Sequence, residues 1–391
     1  MTQPGSPVTI RWGSRDPAAP LVVLFHGRHA TETDMTWFAR YLPEGAAYAS
    51  VRAPLADGRG FAWFADGGVG RPLPDSLAVT MTWFREWLDE WAAPPVPVVL
   101  VGFSHGAVFA GGLLLADPPR FAAAGLLYGT LPFDVGVPLT RGRLAGVPVF
   151  VTHGVHDTVI PVELQRRTWD YLVQESGSPL WAQREPTGHA VTAKTVSELA
   201  GWIEARLGYL QQHDAVADRA ADREPRWATL PDGLLPARPG PPPEVSVTTP
   251  QQQESQNAPT ELQEALFSRV AMLPGVAIQP SAVSVPGARA FVLGPGEARG
   301  PADAFMVADV GEFAHLHPGY DGSLHLVLPI PLAHDALAKG WAVAHPLSGL
   351  RMSAGLVLIF GPRNPMELEI ITAIARTSHS YASQVDPHSA G

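Results

Sequence analysis

Cysteine is absent from all 391 residues. That absence excludes disulfides, thiolate nucleophiles and thiolate-bound metals. Positive charge is scarce: 27 Lys and Arg stand against 37 Asp and Glu, for a net charge of −10. A nucleic-acid partner therefore has no electrostatic support. No apolar run is long enough to span a bilayer. The start, Met1-Thr2-Gln3-Pro4-Gly5, lacks the basic-then-apolar pattern of a signal peptide. The expectation is a cytoplasmic protein without a membrane span. What is present is ample apolar material, 46% of residues, in a chain long enough for two domains.

Residues 8 to 208 alternate strand-like and helix-like segments. Leu21-Val22-Val23-Leu24-Phe25 is a continuous apolar run, as in a strand buried on both faces. Asp34 to Leu42 has helical spacing, and Ala46 to Val51 reads as a strand. Asp75 to Trp91 reads as an amphipathic helix, with Leu77, Met81, Phe84 and Leu88 about one turn apart. Further strands are expected at Val96–Val101, Gly125–Tyr128, Val147–Val151 and Leu180–Arg184, and helices at Val162–Glu175 and Val191–Leu207. The alternation predicts an α/β fold with a mostly parallel sheet covered by helices on both faces.

The most informative stretch is Gly102-Phe103-Ser104-His105-Gly106. It stands between an apolar β-branched run and the small, apolar segment Ala107–Leu115. Gly-x-Ser-x-Gly at a strand-to-helix turn is the nucleophile elbow of a serine hydrolase, with glycines where strand and helix approach closely. A serine needs a base, and the base an orienting acid, in the chain order Ser, Asp or Glu, His. Asp157 follows a buried strand, and His189 lies in the loop Gly188-His189-Ala190 before the last helix. Asp134 is the rival acid, but the context His153-Gly154-Val155-His156-Asp157 favours Asp157. Open α/β sheets place their sites at such strand ends. His153 and His156 read as structural loop histidines. The oxyanion hole is expected from the backbone N–H groups of His105, next to the nucleophile, and of Arg28 in His26-Gly27-Arg28. His29, Trp63 and Phe64 are candidate pocket residues, with Trp63 and Phe64 reading equally well as plain core, while Trp83, Trp87 and Trp91 read as helix packing.

These residues carry a resemblance. Residues 1–210 resemble the phospholipase/carboxylesterase branch of the α/β-hydrolases, small serine esterases related to acyl-protein thioesterases. The shared residues are His26-Gly27-Arg28, Glu32, Arg52-Ala53-Pro54, Trp63-Phe64, Gly102 to Gly106, His153-Gly154 with Asp157 and Pro161, and Gly188-His189. The resemblance implies Ser104 as nucleophile, Asp157 as acid and His189 as base. It implies hydrolysis of small-molecule esters or thioesters through an acyl-enzyme, without a cofactor. One departure stands out: the family continues His-Gly-x-Gly, and His29 occupies that last glycine. The oxyanion loop is expected to differ in shape there.

Residues 211–258 change character. Pro239-Gly240-Pro241-Pro242-Pro243 and Gln251-Gln252-Gln253 suggest an extended linker. A second, α+β domain is expected over 259–382, with 383–391 as a tail. Thr260-Glu261-Leu262-Gln263 has the pattern of a helix-capping box. Short strands are expected at Val276–Val285, Ala290–Leu293, Ala304–Val310, Leu324–Leu328 and Leu356–Phe360. Asn364-Pro365-Met366-Glu367 reads as a cap with Pro at the first helical position, opening a helix to about Ala382.

In a strand, positions i and i+2 share a face, so His315 and His317 are expected to point the same way, with His325 joining from a neighbouring strand. Three histidines with an open position would suit Zn or non-haem Fe. The domain also resembles a luciferase-like module related to fungal luciferase, through Ala314-His315-Leu316-His317-Pro318, Asp321-Gly322-Ser323-Leu324-His325, Gly340-Trp341, His345-Pro346-Leu347, Phe360-Gly361-Pro362-Arg363 and Glu367-Leu368-Glu369. That resemblance implies oxygen addition to a pyrone-like substrate. The alternative to a hydrolase-centred protein is thus a C-terminal oxygenase or small-molecule binder, whose substrate or product the hydrolase processes.

Overall fold

The computed structural model describes residues 5–213 and 225–385. By their internal contacts they form two compact units. One holds Met1–Leu139, Val147–Tyr171 and Trp181–His213; the other holds Thr140–Gly146, Leu172–Leu180 and Asp214–Gly391. The division departs from a single boundary at 210, because residues 140–146 and 172–180 group with the second unit.

In the first unit, β1 (Thr9–Gly13), β2 (Leu21–Phe25) and β3 (Ala47–Val51) precede a hairpin, β4 (Leu55–Asp57) with β5 (Gly60–Ala62). Then come α1 (Pro74–Trp91), β6 (Val98–Phe103), α2 (His105–Ala116), β7 (Ala123–Leu127) and β8 (Val149–Gly154). The unit closes with α3 (Val162–Asp170), β9 (Leu180–Glu185) and α4 (Ala193–Gln212). The strand order is β1-β3-β2-β6-β7-β8-β9. Strands β3, β2, β6, β7 and β8 run parallel, and β1 is an antiparallel edge. The apolar runs of β2 and β6 become the buried centre, with Val22–Phe25 and Val98–Val101 fully enclosed. This is the expected α/β architecture. The segment read as a helix over 34–42 is a 3-10 helix, Glu32–Arg40.

The second unit is a six-stranded sheet whose assigned pairings are all antiparallel. Its elements are α5 (Thr260–Ala271), β10 (Val276–Pro280), β11 (Arg289–Leu293), β12 (Glu312–Leu316) and β13 (Leu324–Val327). They continue with α6 (Ile330–Ala338), β14 (Ala342–Ala344), β15 (Leu356–Ile359) and α7 (Pro365–Ser383). The order is β10-β11-β12-β13-β15-β14. Leu266 and Val270 of α5 and Ile371 and Ile374 of α7 join Phe291, Ala314, Leu316 and Leu326 in one apolar core.

Several expectations change here. Ala304–Val310 is not a strand; it forms two 3-10 turns, Ala302–Ala304 and Ala308–Val310. The capping box at Thr260 does not form. Pro259 takes the cap position, and Gln263 turns its amide to the carbonyls of Ala258 and Gly319. The cap at Asn364 does form, its side chain accepting the Glu367 N–H. The expected linker 211–258 is not a free spacer over its described part. Trp227 is fully buried, Leu235 is buried beside it in the second unit's core, and the Trp227 indole donates to Asp335 at 2.8 Å. Proline forbids ladder pairing but not close packing in extended form. Residues 214–224 and 386–391, the latter most of the expected tail, lie outside the described residues. Among the described residues no helix is long and apolar enough to cross a membrane.

Candidate active site and a histidine cluster

The elbow is built by close contact. Ser104 sits between β6 and α2 with φ 54° and ψ −116°, a conformation costly for any residue with a Cβ. A Cβ on Gly102 would fall 2.2 Å from the Gly106 carbonyl oxygen, and one on Gly106 would fall 2.3 Å from that of Phe25. Both glycines are therefore obligatory, and together they hold the serine out at the end of the central strand.

His189 comes to it from the loop before α4. Its Nε2 lies 2.8 Å from Ser104 Oγ, and its Nδ1 lies 2.8 Å from Asp157 Oδ2. The Asp157 side chain is almost wholly buried. Its other oxygen accepts the N–H groups of Val159 and Ile160, at 2.8 and 3.1 Å. The carboxylate is thus fixed by a tight turn and has one oxygen left for the imidazole. The rival Asp134 is exposed and paired with Arg167 instead. His153 is buried and bonded to the Gly129 carbonyl, and burial lowers its pKa to about 4.

A cavity of about 340 Å³ opens at Ser104, with Arg28, His29, His105 and His189 on its wall. Among the described residues, the backbone N–H groups of Arg28 and His105 donate to no protein acceptor. His29 adopts φ +64°, the left-handed region that glycine favours. The loop therefore keeps a glycine-like backbone at that residue, contrary to the altered shape expected from the substitution.

Trp63 and Phe64 do not line this cavity. Trp63 is fully buried, stacks on Phe109 and donates its indole N–H to the His26 carbonyl. Phe64 packs on the His105 ring. Both are core residues, because β5 turns this segment inward beneath the elbow. Two features escaped the sequence reading. The Arg28 guanidinium is clasped by Asp57 and Asp66, at 2.5 and 3.1 Å, and Asp66 lines the cavity. The His105 ring accepts the Trp63 N–H at Nδ1, and burial lowers its pKa to about 3. It is thus neutral, with its proton on Nε2 beside Asp66, at 3.7 Å.

In the second unit, His315 of β12 and His325 of β13 are direct register partners. With His317 they present ring nitrogens that all lie within 4.8 Å of one another, and all three residues are buried. The expected shared face is correct. Ala314 and Leu316 point into the core on the other side. The sequence did not place Glu312, His345, Asp321 or Gln251 at the cluster, although Asp321 and His345 stand in the motifs that carry the resemblance. Glu312 is three residues from His315 and should face away by strand alternation. A bulge opposite Phe291 and Val292 inserts one residue and returns Glu312 to the histidine face. Burial pushes the Glu312 carboxyl up, but hydrogen bonds from His315, Ser281 and the Ala282 N–H outweigh it and hold it below its ordinary value.

Residues 12–206 match the phospholipase/carboxylesterase family, and residues 310–378 match the luciferase domain. The chain thus carries an α/β-hydrolase domain of the phospholipase/carboxylesterase family, a family of ester hydrolases, and residues 310–378 are similar to the luciferase domain. Acyl-protein thioesterase 1 of Kluyveromyces lactis is 24% identical over 168 residues, 38% of this chain and 73% of that protein. A solved Bacillus cereus carboxylesterase is 23% identical, with a TM-score of 0.46, covering 51% of this chain and 93% of that one. The luciferase of Armillaria ostoyae is 35% identical over 79 residues, 19% of this chain and 29% of that protein. The chain therefore spans under a third of the length of the fungal luciferase it matches.

Proposed function

We propose that the first domain is a serine hydrolase that cleaves small carboxylic esters or thioesters through an acyl-enzyme. Ser104 Oγ attacks the acyl carbonyl while His189 Nε2 takes its proton. The same proton then passes to the departing alcohol or thiol, and the acyl group stays on Ser104. A water, deprotonated by His189, releases the acid and restores the serine. Asp157 holds the His189 tautomer and stabilises the imidazolium. The backbone N–H groups of Arg28 and His105 receive the developing oxyanion, a role in which one donor is worth about 3–4 kcal/mol in comparable sites. No step needs a cofactor.

The observation that carries this reading is the relay of two 2.8 Å contacts, Ser104 Oγ to His189 Nε2 and His189 Nδ1 to Asp157 Oδ2. The cavity supports a modest acyl group, since Val69, Val108, Val159 and Ile160 give it an apolar wall. The Arg28 cation there is already balanced by Asp57 and Asp66, which favours neutral over anionic acyl chains. The test is turnover of p-nitrophenyl esters and acyl thioesters of graded chain length, with fluorophosphonate labelling, in the wild type and Ser104→Ala. Labelling and turnover confined to the wild type support the reading. Equal inertness of both proteins across all chain lengths sinks it.

A further inference from the structure

We propose that the second domain binds one divalent transition-metal ion through His315 Nε2, His317 Nε2 and His325 Nδ1, and that the cavity beside it takes a largely apolar small molecule whose oxygen donor completes the coordination. This inference is independent of the hydrolase reading.

The first argument is the orientation of the rings. Each histidine has its outer nitrogen engaged by an acceptor. His315 Nδ1 donates to Glu312 Oε1 at 2.8 Å, His317 Nδ1 to Asp321 Oδ2 at 2.6 Å, and His325 Nε2 to Gln251 Oε1 at 3.1 Å. The tautomers follow: a proton on each outer nitrogen and a lone pair on each inner one. Carboxylate-to-histidine bonds of this kind orient and strengthen imidazole ligands at metal sites. The three lone pairs converge. His315 Nε2 and His325 Nδ1 stand 3.1 Å apart with no proton left to place between them. Two facing lone pairs repel unless a cation lies between them. Metal–nitrogen bonds of about 2.0–2.1 Å at tetrahedral to octahedral angles put neighbouring ligand atoms about 2.8–3.4 Å apart.

The second argument is charge. Glu312 and Asp321 are both essentially unexposed. Asp321 accepts the N–H groups of Ser323 and Gln253 as well as the His317 ring. Among the described residues neither carboxylate pairs with a Lys or Arg; their ion-pair partners are His315 and His317 alone. Carboxylates buried without a Lys or Arg beside them are costly unless a cation lies near. A divalent ion held by their histidines balances both.

The third argument is access. Three protein ligands leave an open position, the arrangement of reactive rather than structural sites. That position faces a cavity of about 590 Å³ in which His315, His317 and His325 all take part. The volume suits a small molecule. Met306, Leu347, Met352 and Leu356 supply apolar walls. His345 Nδ1 accepts the Leu347 N–H at 3.1 Å, so its proton sits on Nε2 as a donor available to a bound oxygen. An all-imidazole set without thiolate suits Zn, Fe, Ni or Cu.

The test uses the full chain. Purified protein is stripped with chelator and titrated with Co²⁺ and then Zn²⁺, reading the cobalt visible bands and metal content by mass spectrometry. One equivalent of Co²⁺ per chain, displaced by Zn²⁺, is expected. His317→Ala and His325→Ala should abolish stoichiometric binding, and the milder Glu312→Gln and Asp321→Asn should weaken it about 10–100-fold. All four should keep wild-type ester turnover, which separates this proposal from the hydrolase reading. Benzohydroxamate should shift the cobalt bands and bind at least about tenfold tighter than acetohydroxamate, as an apolar cavity requires. Wild-type protein that binds no metal, or binds it equally well in His317→Ala, overturns the metal site. Unshifted cobalt bands with both hydroxamates overturn the ligand assignment.

Discussion

The two sites are assembled in opposite ways. The Ser104 site stands on three turns at strand ends of one sheet, each with its own local chemistry: glycines around Ser104, an N–H-accepting turn at Asp157, and a glycine before His189. The histidine cluster stands on the face of an antiparallel sheet, where register and one bulge bring side chains together. A site made of turns depends on short-range backbone constraints. A site made of register depends on the whole sheet. The first tolerates change around it and fails sharply at single atoms. The second is exposed to any change that unsettles its sheet.

The sharpest way to break the contrast is to remove one atom from the turn-built site. Ser104→Ala should lower ester turnover by at least about 10⁴-fold, because the triad acts as a unit. The melting of both units and the metal stoichiometry of the second should stay unchanged. A loss under tenfold would show that another nucleophile acts.

The register-built domain should instead fail from a distance. Glu367, at the start of α7, is completely buried and held between Arg363 and Arg238. Arg238 is itself buried, and desolvation lowers its pKa to about 10. Removing the carboxylate leaves a buried guanidinium without its counter-charge, at a cost of about 3–5 kcal/mol. Glu367→Ala should therefore lower the second unit's unfolding midpoint in urea and loosen metal binding, with ester turnover intact. Equal loss of both activities would mean that the units do not unfold separately.

This contrast also explains what could be read from sequence. Ser104, Asp157 and His189 were legible because each turn demands particular residues at fixed offsets. The parallel sheet was legible because strands buried on both faces are apolar throughout. Trp63 and Phe64 stayed open between pocket wall and core because aromatic character does not say which side of a hairpin faces the core. Glu312 was hidden by the bulge, which breaks the alternation on which strand reading rests. The segment 225–258 was misread because proline-rich composition describes pairing capacity, not packing. Trp227 and Leu235 needed a core to enter, and that core is formed by strands far along the chain. His345 and Gln251 reach the cluster only through tertiary structure.

A smaller effect separates the units by pH. Burial lowers the His153 pKa to about 4, against about 6.5 in an unfolded chain. Between those values the unfolded state binds the extra proton, so stability falls as pH drops from about 6.5 to 4, by up to about 1.4 kcal/mol per pH unit. His153→Gln should reduce the acid dependence of the first unit's unfolding, leaving the part that the buried His105 contributes, and leave that of the second unchanged. An unaltered slope would mean that His153 takes up its proton without unfolding.

The smallest effect tests whether backbone shape alone defines the turn-built site. His29 holds φ +64°, with its side chain more than half exposed. A Cβ in that conformation costs about 1–2 kcal/mol, and glycine would relieve it. Glycine also adds about 0.5–1 kcal/mol of backbone entropy to the unfolded chain. The two effects oppose each other, so His29→Gly should change stability by less than about 1 kcal/mol. The Arg28 N–H would keep its direction, because the backbone already follows a path open to glycine. Ester kcat/KM should then stay within about threefold of the wild type. A fall of a hundredfold would mean that the imidazole itself, 3.5 Å from Asp57, shapes the substrate's path into the cavity, and that this site depends on a side-chain contact as well as on its turns.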